Sequence, residues 1–218
     1  MKLTDREKVF LLNTARETIR MWLSGNGFRH EPDIQPIISI DRPFVLENAG
    51  AFVTLKKGGS LRGCIGRFNA DYPLYLVVRD VSIESAVKDT RFPPVTFNEL
   101  NDITIEISVL TPLKRIKSID EFSLGQHGIY MVKNGKSGTF LPNVAIETGW
   151  TQDEFLGHCS QDKMGMGWDD WKKSELYTYE TIIFDEKQYG LKWKPSKKIM
   201  IIGIIILKLH HILNILMV

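Results

Sequence analysis

Cys64 sits in the run Leu61-Arg62-Gly63-Cys64-Ile65-Gly66. If the run is an extended strand, its side chains alternate, so Arg62, Cys64 and Gly66 share one face while Leu61 and Ile65 take the other. A guanidinium beside a thiol favours the thiolate, which is the reactive form. Gly63 and Gly66 would let a substrate approach the backbone closely. The competing reading makes Cys64 a small buried hydrophobe beside a bulge.

Further candidates surround this motif. Glu106 is expected on the polar side of a strand with Thr104 and Ser108, where it could act as a base or pair with Arg62, or simply face solvent. His127 precedes a glycine at a strand start and could deprotonate Cys64 or bind substrate, the alternative being a surface histidine. Arg91 lies between a helix end and two prolines, placed to clamp a carboxylate or phosphate, or to cap the helix carbonyls. Cys64, Arg62, Glu106 and His127 are therefore the candidate catalytic set, with Gly63, Gly66, Arg91 and Ser108 as candidate substrate contacts.

Cofactor signals are weak. His158 and Asp162 are four apart on a predicted helix and share a face, as a metal pair would, yet spacing supplies no third ligand. The glycines at 63 and 66 lack the strand-to-helix context of a dinucleotide loop, and no phosphate loop occurs. Neither a metal nor a cofactor is expected.

The elements that must position these residues follow from local pattern. Thr4 and Glu7 form a capping box that opens a helix running to about Ser24, with Leu12, Ala15, Ile19 and Leu23 as its core stripe and Gly25-Asn26-Gly27 as its stop. Residues 28 to 50, with three prolines, read as a long connection. Ala51 to Leu55 and Ser60 to Phe68 form a hairpin around Gly58-Gly59. Pro73 opens a second helix ending near Asp89, which Pro93 and Pro94 cannot continue. Ile103, Ile105, Ile107 and Val109 alternate with polar residues as a half-buried strand. A second hairpin turns at Asn134-Gly135. Thr151 and Glu154 cap a short helix to about Asp162, Trp168 and Trp171 are expected in the core, and Leu176 to Phe184 closes the fold as a strand. Hairpins mixed with helices give an α+β class: a largely antiparallel mixed sheet with packed helices, in two intimate subdomains forming one cleft.

Composition restricts function. The net charge of +2 and the scattered basic residues give no support for nucleic-acid binding. Two cysteines and an N-terminus without an apolar stretch fit a cytoplasmic protein with free thiols. The domain is expected over residues 4–185 and a C-terminal extension over 186–218. From about Ile199 that extension is nearly all Ile, Leu and Met. It is long enough for a membrane anchor, but Lys208, His210 and His211 lie near its middle and argue against one.

Leu61-Arg62-Gly63-Cys64-Ile65-Gly66 resembles the signature of the AMMECR domain family, known in microbes as protein A of the AmmeMemoRadiSam system. In the same order follow Arg91-Phe92-Pro93-Pro94, Ile105-Glu106-Ile107-Ser108-Val109-Leu110, His127-Gly128-Ile129, Leu141-Pro142, Val144-Ala145, Gly149-Trp150 and Phe155-Leu156, so that the resemblance covers nearly all of Thr4 to Phe184. Asn143 stands where relatives are expected to carry Gln. The resemblance implies a two-subdomain fold with a cleft lined by these motifs, an activity not assigned for the family, and the company of Memo-like and radical S-adenosylmethionine proteins. An iron–sulfur cluster would need more cysteines than Cys64 and Cys159. Two functions stay open: an enzyme or enzyme component that modifies a small molecule or modified residue through an activated Cys64, or a non-catalytic module that presents the cleft to protein partners.

Overall fold

The computed structural model describes residues 3–26, 31–38, 43–68 and 71–191. The Thr4 hydroxyl and Glu7 carboxylate cap helix α1 (Asp5–Met21) reciprocally, as expected. Glu7 also reaches across the fold, accepting the Val45 amide at 3.2 Å. Inside the π-helical turn Trp22–Asn26, Gly25 takes φ 82° and breaks the helix. A short α2 (Gln35–Ile38) lies in the long connection that follows.

Strands β1 (Ala51–Lys57) and β2 (Ser60–Arg67) form the first hairpin. Its turn needs φ of 58° at Gly58 and 88° at Gly59, which glycine adopts without steric cost. Helix α3 (Leu74–Val87) and strand β3 (Ile103–Leu110) continue this half. The chain then builds β4 (Lys114–Arg115), β5 (Gly128–Lys133), β6 (Lys136–Phe140), α4 (Pro142–Thr148), α5 (Gln152–His158), β7 (Glu175–Tyr179) and β8 (Thr181–Asp185). The class is α+β, with the strands in two four-stranded sheets ordered β2-β1-β3-β8 and β4-β7-β5-β6. Every pairing within them is antiparallel.

One face of the first sheet is apolar, with Val53, Leu55, Ile105 and Ile107 packed with Leu12 of α1 and Val77 of α3. The second sheet packs Ile129 and Met131 with Phe155 and Leu156 of α5. Burying each such side chain contributes roughly 1.5–3 kcal/mol. Phe68 joins the halves: its ring stacks on Tyr130 at 5.2 Å and meets Phe52 and Tyr179 edge-on at 5.6 and 5.0 Å.

Three expectations need correction. Leu176 to Phe184 is not one strand: Glu180 breaks it, and its two parts belong to different sheets. The break is held by Thr111, whose amide donates to the Glu180 carbonyl and whose hydroxyl accepts the Glu180 amide at 2.8 Å. Alternation continues on both sides of such a break, so the sequence pattern does not reveal it. Trp171 is buried, but Trp168 is 38% exposed and meets His158 edge-on. Packing also continues past Asp185. Glu186 is buried against Arg16, and Tyr189 and Leu191 lie against the first core. The expected apolar tail lies outside the described residues; among those described, no helix is long and apolar enough to cross a membrane.

Candidate functional site

Strict alternation fails in β2 at one residue. Leu55 pairs with Gly63 but Lys56 pairs with Leu61, so Arg62 is an extra residue in a bulge. The bulge turns its guanidinium away from the thiol. Arg62 instead donates to both carboxylate oxygens of Glu99, at 3.1 and 3.2 Å, and to the carbonyls of Pro93 and Pro94. Arg62 holds Glu99 down to about 2, assisted by the Thr96 amide. The expected role of Arg62, lowering the pKa of Cys64, does not survive this geometry.

Arg91 is the arginine beside Cys64. Its Nη2 donates to the Cys64 carbonyl at 3.2 Å, while the Cys64 amide donates to Asp89 at 2.8 Å. Arg91 in turn grips both oxygens of Asp89 and holds that carboxyl down to about 2, aided by the Cys64 amide. Sequence reasoning passed over Asp89, although an acid two residues before Arg91 at a helix end is a visible signal. The Cys64 side chain is half-buried, its Sγ 3.2 Å from the Thr54 hydroxyl. Burial pushes the thiol up, and the Thr54 bond and Arg91 charge only partly oppose this. The second thiol, Cys159, is fully buried and pushed up to about 12 by that burial.

Cys64 and Glu106 do share a face. Across β2, β1 and β3 the register is Cys64, Thr54, Glu106, on the side opposite the helices. Glu106 is paired with Lys56 at 2.8 Å. The next row is Gly66, Phe52, Ser108. A side chain at Gly66 would collide with the Phe52 ring, so this glycine admits protein and not substrate. Gly63 faces the other way, where a Cβ would strike the Ser85 carbonyl of α3. Ser108 is buried and out of a substrate's reach. His127 belongs to the second half: its Nδ1 accepts the Ser123 amide at 3.1 Å, leaving the proton on Nε2, 4.0 Å from Glu180. None of its contacts is with Cys64 or Glu106.

His158 and Asp162, the expected side-chain pair, bond to each other at 2.9 Å, with the imidazole stacked on Trp150 at 4.0 Å. Among the described residues no three His, Cys, Asp or Glu side chains converge as metal ligands would. A groove of about 670 Å³ opens where the sheets meet, with Phe68 in its wall and Cys64 outside it.

Over residues 12–184 the sequence matches the AMMECR1 family. The chain belongs to the AMMECR1 family. It is similar to protein MK0488 of Methanopyrus kandleri, with 36% identity over 86% of this chain and 92% of that protein. A protein of Methanosarcina acetivorans is 37% identical over 85% of this chain and 94% of its own length. The crystal structure of uncharacterized protein PH0010 from Pyrococcus horikoshii matches with a TM-score of 0.76 and 34% identity, covering 85% of this chain and 94% of that one. In this AMMECR1 chain the six-residue motif is an edge strand whose outer side is closed by Ser85, Asp89 and Arg91.

Proposed function

We propose that this AMMECR1-family chain is a cytoplasmic component of a pathway that modifies a small molecule or a modified residue, alongside Memo-like and radical S-adenosylmethionine proteins. Its part in that pathway is to bind. The open face of the first sheet presents Cys64, Thr54 and Glu106 to the ligand, with Cys64 as a neutral S–H group. The observation that carries this reading is the thiol itself, hydrogen-bonded to Thr54 and raised by burial, while Arg62 is committed to Glu99. A protonated thiol is a weak nucleophile and a fair apolar contact.

Cys64→Ser tests this. The variant keeps a small polar group beside Thr54, so pathway function in a strain lacking the native protein should persist. Complete loss, with the variant folded to the wild-type melting temperature, would overturn the binding reading.

A second reading, an enzyme, is favoured by the row Cys64, Thr54, Glu106. A ligand that draws Lys56 from Glu106 would free that carboxylate to take the thiol proton through the Thr54 hydroxyl. This reading requires that Cys64→Ser and Glu106→Gln each abolish function while folding is retained.

A further inference from the structure

Beyond β3 the chain crosses to the second sheet through Thr111, Pro112 and Leu113, and the groove of about 670 Å³ lies beside this crossover. Small-molecule sites have volumes of this order. Its apolar wall includes Phe44, Phe68, Leu110 and Leu113. Two of these are firmly placed. Phe68 is held by the rings of Phe52, Tyr130 and Tyr179. Phe44 belongs to a segment pinned to the start of α3, where the Leu74 amide donates to the Glu47 carbonyl at 2.9 Å and Asn48 bridges to Pro73.

The polar part of the lining is one-sided in charge. Glu47 and Asp71 contribute carboxylates, and among the described residues no lysine or arginine lines the groove. Neither carboxylate has a hydrogen bond or ion pair among the described residues. Nearby acids in the same half do: Glu84, Asp89, Glu99 and Glu106 each hold an arginine or lysine. Rings accept the apolar body of an organic cation, and unpaired carboxylates at the same concavity attract its charge.

We propose that this groove binds a small organic ammonium ion, its apolar body against Phe44 and Phe68 and its charged nitrogen at the Glu47 and Asp71 rim. The site does not depend on the role of Cys64, which lies outside the lining, so either proposal can fail without the other.

The test is an NMR titration of the full-length ¹⁵N-labelled chain with phenethylammonium, 2-phenylethanol and 3-phenylpropionate, three probes sharing one aromatic body. Phenethylammonium should shift the Gly50, Phe68 and Thr111 amides saturably and bind about tenfold more tightly than the alcohol. The propionate should not bind, and added salt should weaken the ammonium alone. The double variant Glu47→Gln/Asp71→Asn should erase the preference for ammonium over alcohol. Phe44→Leu, which keeps apolar bulk but removes the ring, should weaken ammonium and alcohol alike and leave that preference in place. Equal affinity for ammonium and alcohol, or no saturable shift, would overturn the proposal. So would a double variant that melts at lower temperature yet binds ammonium unchanged, because the carboxylates would then serve only to offset the positive end of α3.

Discussion

The Arg91 guanidinium meets the Cys64 carbonyl at 3.2 Å, while Arg62, two residues before that cysteine, reaches back to the carbonyls of Pro93 and Pro94. The segments 61–66 and 91–94 are thus fastened twice, each supplying an arginine to the other's backbone. An edge strand leaves backbone groups unpaired, and at Cys64 and Ile65 the side chains of Asp89, Arg91 and Ser85 occupy them. In this chain Arg62 and Cys64 of the six-residue motif both take part in this closure.

Of the two arginines, only Arg91 should therefore act on the thiol chemistry. Alkylation of Cys64 by iodoacetamide should accelerate only above the ordinary thiol range, because burial raises the thiol. Arg62→Gln should leave the pH profile in place. Arg91→Gln removes a positive charge that favours the thiolate, so its profile should move to higher pH. Rapid alkylation of the wild type at neutral pH would contradict this assignment.

Asp89 ties the lock to acid stability. Its carboxyl is held at about 2 in the folded chain by Arg91 and the Cys64 amide, against about 3.9 when unfolded. A depressed carboxyl stabilises the fold above its unfolded value, and that stabilisation disappears as pH falls through the folded value. Urea unfolding should show the wild type losing on the order of 2 kcal/mol between about pH 5 and pH 2 from this group. Asp89→Asn should be less stable than wild type at pH 7 and should lack this part of the pH slope.

Local rules made much of this legible. The capping boxes at Thr4 and Thr151 and the turns at Gly58-Gly59 and Asn134-Gly135 depend on residues a few positions apart, and all occur as read. The direction of Arg62 did not, because it depends on an extra residue opposite β1 and on proline carbonyls some thirty residues away in sequence. Helix α4 was missed although Pro142 stands in its first turn, a usual opening signal. The burial of Ser108 follows from its neighbours Phe52 and Ile183 across the sheet, which no single-strand pattern contains.

Gly63 separates a packing role from a substrate role. An alanine there would drive its methyl into the Ser85 carbonyl, and backbone cannot move aside as a flexible side chain can. Gly63→Ala should lower stability by about 1–3 kcal/mol, readable as a shift in denaturant midpoint. A variant of unchanged stability that lost only ligand binding would restore the reading of Gly63 as a substrate contact.

The position of Glu186 sets where the folded chain may be cut. Its carboxylate accepts from Arg16 and from the Ile105 amide, and Arg16 also donates to the Leu100 and Ile103 carbonyls, all in buried surroundings. Removing one partner leaves a buried charge uncompensated, at a cost of about 3–5 kcal/mol. Glu186→Ala should fall by that amount in urea unfolding. Truncation after Asp185 should cost more still, since it also removes Tyr189 and Leu191 from the first core. Truncation after Pro195 keeps every one of these contacts and should unfold cooperatively near the full-length midpoint. If the cut after Asp185 were equally harmless, the Arg16–Glu186 pair would contribute nothing to the fold.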